Sequence, residues 1–243
     1  MLVRIICAAL FGIGLAATSD AATLSVASTS NPYLAGMPAH AKASLTDIGS
    51  GQAPALVNGL RLTAGTGLQF SASGMTDHCN NGGRCGLAGP EGDLLEGSFR
   101  HASGAENGIA DLSAPIDSLI GVFLDDRQPD LSAAPDGLDF GTLAARDFDS
   151  LSPLLKQPFF IGDGFKNDGI TIQSFIVPAG ATRLFLGTMD AFEWENNTGS
   201  LNVTVTPLRL MRAQQVALQA DEPATIALVV TSVVWMACCR RRH

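Results

Sequence analysis

Short hydrophobic runs with the spacing of β-strands recur through the middle of the chain. In residues 200–206, Leu201, Val203 and Val205 alternate with polar residues, so a strand there would have one apolar and one polar face. Further runs lie between clusters of Gly, Pro, Asn and Asp: ALVNGLRLTA, GLQFSASG, SLIGVFLDD, ITIQSFIVP and TRLFLGTM. The pattern predicts an all-β fold, a β-sandwich or jelly roll. A weak helical period is confined to residues 144–155.

Three longer segments interrupt this pattern. Residues 74–96 are rich in Gly, Asp and Asn and residues 125–140 are rich in Asp, and long loops in a compact β domain are usually functional or mobile. Residues 206–223 show neither turn clusters nor strand alternation, which is typical of a linker. We therefore predict one β domain over residues 22–207 and a linker over residues 208–220.

The N-terminus has the order of a secretory signal peptide. Arg4 precedes the apolar residues 5–17, and small residues follow, so we expect cleavage after about Ala21 or Ala22. The alternative is a membrane-spanning anchor, which needs about 20 apolar residues, more than this stretch supplies. Residues 1–21 are therefore predicted to form a signal-peptide helix that directs export.

The C-terminus combines an apolar segment with a basic cluster. Residues 224–239 carry no charged side chain, and three arginines follow at 240–242. A basic cluster after an apolar segment stays on the cytoplasmic side, so the body of the protein would lie outside that membrane. The alternative is a buried C-terminal helix, which would gain nothing from three terminal arginines.

Residues 221–243 resemble the PEP-CTERM sorting signal of Gram-negative bacteria. The resemblance rests on the order Glu222-Pro223, apolar segment and terminal arginines, with Asp221 where the family usually has its first proline. It implies a transmembrane sorting helix held in the inner membrane. An exosortase-type enzyme would then cleave this helix and release the protein to the cell surface or extracellular matrix.

The composition restricts the partners of the exported body. Lysine is scarce and the formal net charge of the whole chain is −8, so the surface would repel phosphates and we expect no nucleic acid partner. Cations are favoured instead. We expect no enzyme, because no nucleophile–base set, Walker loop or zinc signature is present. Carboxylates suffice for a glycosidase pair, but nothing singles out two of them.

Cys79 and Cys85 are the two cysteines of the predicted body. An even pair in an oxidising compartment favours a disulfide, here closing a small loop. The alternative is a metal site that also uses His78 and His101, although the cysteine spacing fits no standard zinc pattern.

Oxygen-bearing side chains are concentrated just before the alternating strand. Asp190 follows TRLFLGTM, and Asn196 and Asn197 come shortly before Ser200. Calcium prefers about six to eight oxygen ligands, and a hairpin loop of this length would point all three side chains at one place. The alternative is an ordinary turn in which Asp and Asn bond their own backbone.

Residues 160–205 resemble the C-terminal half of the small calcium-dependent galactose-binding lectins of bacteria. The shared pattern is Val-Pro-Ala-Gly-Ala at 177–181, an Asp at a strand end, and Asn-Asn-Thr-Gly-Ser before an alternating strand. The segment is still more similar to lectin-like domains of PEP-CTERM proteins. Upstream, LQFSASGMTDHC and GLAGPEGD look like the family's first ligand loop, and SLIGVFLDD like its middle strand. The resemblance implies a galactose-binding-like β-sandwich.

The resemblance also implies a set of calcium ligands. Asp190, Asn196 and Asn197 would contribute side-chain oxygens, and backbone carbonyls near Trp194 and His78 would contribute two more. The hydroxyls of a saccharide, such as the cell's own exopolysaccharide, would complete the coordination. The interval from Asp190 to the asparagines is one residue shorter than in the small lectins.

The same loop contains residues that the family pattern does not assign. Glu193 and Glu195 would either join the metal or repel it. The rings of Phe192 and Trp194 would provide a stacking surface for a sugar or, alternatively, anchor the edge of the sandwich. Two functions follow: a calcium-dependent carbohydrate-binding module, or a non-catalytic structural surface or matrix protein in which calcium only rigidifies a loop.

Overall fold

The computed structural model describes residues 21–43, 47–49, 51–79 and 85–208. The predicted signal peptide up to residue 20, the linker beyond residue 208 and the sorting segment lie outside these residues. Within the described ranges, no helix combines the length and apolar character needed to cross a bilayer.

The described residues form mostly β-strands, as the sequence predicts. In chain order the strands are β1 (Ala22–Ala27), β2 (Lys42–Ala43), β3 (Asp47–Ile48), β4 (Ala55–Leu56), β5 (Gly67–Asp77), β6 (Ser98–Arg100), β7 (Leu112–Pro115), β8 (Leu119–Leu124), β9 (Leu138–Asp139), β10 (Ser150–Leu151), β11 (Phe159–Phe160), β12 (Ser174–Ile176), β13 (Arg183–Thr188) and β14 (Thr198–Pro207). The helix α1 spans Leu143–Arg146, and single 3-10 turns span Pro32–Leu34, Pro129–Leu131 and Trp194–Asn196.

Two larger sheets form the main body of the fold. One has the order β1-β14-β5-β12-β10, and the other has the order β11-β8-β13-β4. In the first sheet β14 pairs antiparallel with both β1 and β5, and only the short β10–β12 pair is parallel. Two small sheets, β2-β3 and β6-β7-β9, complete the described strands.

The main hydrophobic core joins the two larger sheets. Leu201, Val203 and Val205 are fully buried while Asn202 is exposed, which confirms the predicted alternation of β14. They share one apolar cluster with residues of the other sheet, including Leu186 of β13. The packing of one sheet face on the other is that of a sandwich.

A second apolar cluster covers the opposite face of the four-stranded sheet. Successive side chains of a strand point to opposite faces, so Leu184 and Leu186 of β13 enter the main core while Phe185 enters the second cluster. Tyr33 and Trp194 are fully buried in this second cluster. The loops that carry these two aromatic residues are thereby packed onto the sandwich.

The structure refines several sequence-based boundaries. The helical period at 144–155 yields only the single turn α1, which Thr142 caps through its side chain, and the chain returns to strand at β10. The loop predicted from residue 74 begins later, because β5 continues to Asp77 by pairing along β14. Strand β1 was not predicted, because its sequence has no strong apolar run. It forms a strand by pairing antiparallel with β14.

Phe175 tests the main core. It is fully buried, and its ring centroid lies 5.0 Å from that of Phe70 and 5.5 Å from that of Phe159. We expect Phe175→Ala to lower the free energy of unfolding by about 3–5 kcal/mol in urea denaturation, because it leaves a cavity. Phe192→Ala, at a side chain that is 52% exposed, should change it by less than about 0.5 kcal/mol. Equal losses would contradict this account of the core.

Candidate functional site

The segment between β13 and β14 closes one end of the sandwich. The sequence suggests a hairpin loop, but β13 and β14 belong to different sheets, so that interpretation is wrong. Residues 189–197 instead cross from one sheet to the other. The crossing brings this segment against the ends of both sheets, where other parts of the chain can contact it.

Trp194 anchors the crossing segment in the second cluster. Its indole is fully buried, its Nε1–H donates to the carbonyl of Thr188 at 2.9 Å, and its ring meets those of Tyr33 and His101 edge-on. The stacking role suggested for Trp194 is therefore wrong, because no face of the ring is open to a saccharide. Its carbonyl accepts the Asn197 N–H at 3.2 Å and keeps a second lone pair, so its role as a metal ligand stays a prediction.

Asp47 fixes the same segment from a distant part of the chain. This fully buried carboxylate accepts the N–H groups of Trp194 and Glu195, both at 3.3 Å. The side chains of Asn31 and Gln52 also donate to it, at 2.9 and 3.4 Å. Burial raises the pKa of Asp47, and the backbone N–H groups oppose that shift. The carboxylate thus holds the 3-10 turn that leads to the asparagines.

Both asparagines are held by their amide nitrogens. Asn197 Nδ2 donates to the Ser28 carbonyl at 3.1 Å, and Asn196 Nδ2 donates to Glu193 Oε2 at 3.3 Å. The Oδ1 atom of each side chain is buried and has no hydrogen-bond partner in the part of the chain that the structure describes. Each amide therefore offers an uncommitted carbonyl oxygen in a fixed orientation.

Asp190 supplies the third uncommitted oxygen. Its side chain is only 4% exposed. Oδ1 accepts the Phe192 N–H at 3.3 Å, whereas Oδ2 is buried without a hydrogen-bond partner among the described residues. Burial raises the pKa of Asp190 to about 7, against the opposing effect of the Asn197 amide. The structure thus brings Asp190 and Asn197 together, as the sequence predicts.

An open pocket of about 290 Å³ adjoins Asp190 and Asn196. It is lined by His78, Cys79, Glu96, Phe99, Ile116, Asp190, Ala191, Phe192, Glu193 and Asn196. Asp190 and Asn196 both face it, and the half-exposed Phe192 contributes an aromatic surface. A pocket of this size, with apolar walls and a few convergent polar groups, has the general character of a small-molecule site.

His78 lies where β5 ends beside the start of β14. The last residue pair of these strands is Asp77 with Thr198, which places His78 and Asn197 at the same end of the sheet. The His78 ring is held by the fully buried Asp117, with Nδ1 2.6 Å from Oδ2. Burial lowers the pKa of His78, but the bond to Asp117 and its charge outweigh burial, so the net shift is upward. Metal ligation by the His78 carbonyl stays a prediction.

The cysteine pair forms the predicted disulfide. Cys79 and Cys85 are bonded, which confirms that prediction and commits both sulfurs, although they lie with a His78 ring nitrogen within 4.8 Å. His101 is packed instead against Tyr33, with Nε2 2.9 Å from Glu106 Oε2, and burial lowers its pKa to about 4. The alternative of a thiolate and histidine metal site is therefore overturned.

Sequence reasoning missed several residues that shape the site. Glu96 falls in the long Gly-rich loop that the sequence marks as functional or mobile, so that signal was available. Asp47, Asp117 and Ser28 carry no such signal, because a lone Asp or Ser in a turn-rich stretch is ordinary. Their roles depend on contacts with residues distant in the sequence.

The three uncommitted oxygens fit a hard cation. One carboxylate and two neutral amide oxygens are ligand types that calcium prefers. Softer metals would be expected to draw on sulfur or imidazole, but both sulfurs are committed to the disulfide. The His78 imidazole, held at Nδ1 by Asp117, is the one softer donor in the described lining, so the donor set as a whole suits calcium better than zinc.

Comparison with known proteins gives likenesses to solved structures alone. No protein-family model matches the chain, and no curated protein matches it. Among the solved structures that match is one described as "EclA N-terminal domain; PllA-like lectin", which is 15% identical over 77% of this chain and 96% of that one, with a TM-score of 0.34. At that TM-score the likeness carries no argument about fold or function.

Asp47→Asn tests the buried carboxylate. The substitution turns one acceptor oxygen into a donor that faces other donors, so we expect the free energy of unfolding to fall by about 1–3 kcal/mol in urea denaturation. Asp136→Asn is the control, because Asp136 is exposed and does not line the pocket; it should change stability by less than about 0.5 kcal/mol. Equal losses of stability in the two variants would refute the role of Asp47 in holding the 3-10 turn.

The buried carboxyl of Asp190 should make the stability of the metal-free protein depend on pH. Between its ordinary pKa of 3.8 and its folded value of about 7, the folded state keeps a proton that the unfolded state releases. The contribution of this group to stability is therefore complete below about pH 4 and is lost as pH rises to about 7. In chelator, the stability of the wild type relative to Asp190→Asn should fall over this window, as measured by urea denaturation. A difference that stays constant with pH would contradict the buried, unpaired carboxyl.

Proposed function

We propose that this chain is an exported cell-surface or matrix protein with a calcium-dependent carbohydrate-binding module. One observation carries the proposal: Asp190, Asn196 and Asn197 each keep a buried side-chain oxygen without a hydrogen-bond partner among the described residues, and Asp190 and Asn196 line an open pocket. Leaving a buried polar atom unpaired costs about 1–3 kcal/mol. Three such atoms in one loop are explained if they share a ligand.

Calcium accounts for these oxygens better than a bound water would. Three unpaired acceptors lie in one short segment, and one of them belongs to a carboxyl that is costly to ionise where it lies. A divalent ion would stabilise the ionised form of Asp190 and accept all three oxygens at once. Backbone carbonyls near Trp194 and His78 would add further ligands. The amide orientations imposed by Ser28 and Glu193 supply preorganisation.

A saccharide would complete the site from the solvent side. Asp190 and Asn196 line a pocket of about 290 Å³ that is open to solvent, so a metal held there would keep positions for external ligands. Vicinal hydroxyls of a sugar are hard oxygen donors of the kind that calcium takes. Phe192, which is 52% exposed at the pocket, provides the apolar face on which a sugar ring packs.

An extracellular location suits both the disulfide and the metal. A disulfide persists in oxidising compartments, and extracellular calcium modules work with dissociation constants of about 10⁻⁴–10⁻³ M. The signal-peptide pattern and the PEP-CTERM-like tail support export, retention at the inner membrane and release by an exosortase-type enzyme. The partner would then be a surface saccharide or exopolysaccharide.

A calcium titration of the full chain, followed by a glycan array on the same sample, tests the proposal. Calcium should raise the melting temperature of the wild type, and saccharide should raise it further only when calcium is present. Asp190→Ala and Asn197→Ala should weaken calcium binding by at least about tenfold, or about 1.4 kcal/mol, whereas Asp136→Ala should not.

The alternatives give different results in the same experiment. A calcium shift without any saccharide response would favour the structural surface or matrix protein. A calcium shift that survives in Asp190→Ala would refute this assignment of the metal site.

A further inference from the structure

The charge of the pocket wall points to the kind of saccharide that it accepts. The titratable side chains among the described residues that line the pocket are His78, Glu96, Asp190 and Glu193, and this described lining includes no lysine or arginine. Of the three lining carboxylates, only that of Asp190 is assigned to the metal. The other two carboxylates remain in the wall that a ligand would face.

Glu96 is the carboxylate available to a ligand. Its side chain is 42% exposed, and its Oε2 lies 3.6 Å from His78 Nε2, beyond hydrogen-bond distance. Its counterpart Glu193 already accepts the amide of Asn196. Glu96 can therefore accept a hydrogen bond from a donor inside the pocket without breaking one that orients a metal ligand.

His78 does not neutralise this wall. Its Nδ1 lies 2.6 Å from the fully buried Asp117, so any charge on the imidazole is already opposed by that carboxylate. Four carboxylates, those of Asp117 and the three lining acids, then face one divalent ion and at most one imidazolium. The described wall of the calcium-bound pocket therefore keeps a net negative charge.

On the basis of the proposed function, we propose that the pocket selects amino sugars with a free ammonium group over neutral and anionic saccharides. The ammonium would donate to Glu96 while neighbouring hydroxyls meet the metal. A uronic acid would place a second anion against Glu96 and Glu193, although its carboxylate is itself a good calcium ligand. N-acetylation would remove the charge and with it the preference.

The test is a competition on the calcium-loaded full chain with matched sets of monosaccharides. Each set contains the neutral hexose, its 2-amino-2-deoxy form, the N-acetylated form and the uronic acid. We expect the amine to bind about fivefold more tightly than the hexose, the scale that one partly exposed ion pair supplies, and the uronic acid to bind most weakly. Glu96→Gln should abolish the preference for the amine, while Asp136→Asn, which removes the same charge elsewhere, should retain it.

The outcomes separate this inference from the proposed function. Calcium-dependent binding of the neutral hexose without preference for the amine, or with preference for the uronic acid, overturns the inference and leaves the carbohydrate-binding module in place. A preference that persists in Glu96→Gln also overturns it. If calcium raises the melting temperature but no member of any set binds, both the inference and the saccharide part of the function fail.

Discussion

The site depends above all on the pairing of β14 along both of its edges. Antiparallel ladders fix β14 against β1 on one side and β5 on the other. Ser28 follows the end of β1, His78 follows the end of β5, and Asn197 precedes β14, so one register brings three distant segments together. A slip by one residue would turn every side chain of β14 to the opposite face. The buried row at Leu201, Val203 and Val205 prevents such a slip.

The packing of Trp194 then fixes the segment that carries the candidate site residues. The indole is buried in the second cluster, and the 3-10 turn that begins at Trp194 leads the backbone into β14. Asn196 of this turn lines the pocket, and Asn197 bonds to Ser28. The burial of Trp194 and the hydrogen bonds to Asp47 and to the amide nitrogens hold the turn, and the two amide oxygens have no hydrogen-bond partner among the described residues.

The sequence predicts the fold more completely than the site. The apolar pattern of a strand is local, so β14 could be located from its period-two alternation and β8 and β13 from their short apolar runs, whereas β1 was found only from its pairing with β14. Asp190, Asn196 and Asn197 could be chosen because one short loop contains all three. The burial of Trp194 could not be foreseen, because it depends on contacts with Tyr33 and His101. The role of Asp47 could not be predicted from the sequence for the same reason.

Two buried aspartates in contact with one loop differ in how fully their oxygens are hydrogen-bonded. Asp47 accepts hydrogen bonds from four donors, as a buried carboxylate that serves stability alone should. Asp190 is nearly as buried and its Oδ1 accepts the Phe192 N–H, but its Oδ2 has no hydrogen-bond partner among the described residues. An unpaired buried oxygen in a folded protein calls for an explanation. This difference between the two carboxylates is the reason for proposing Asp190, and not Asp47, as a ligand of a cation.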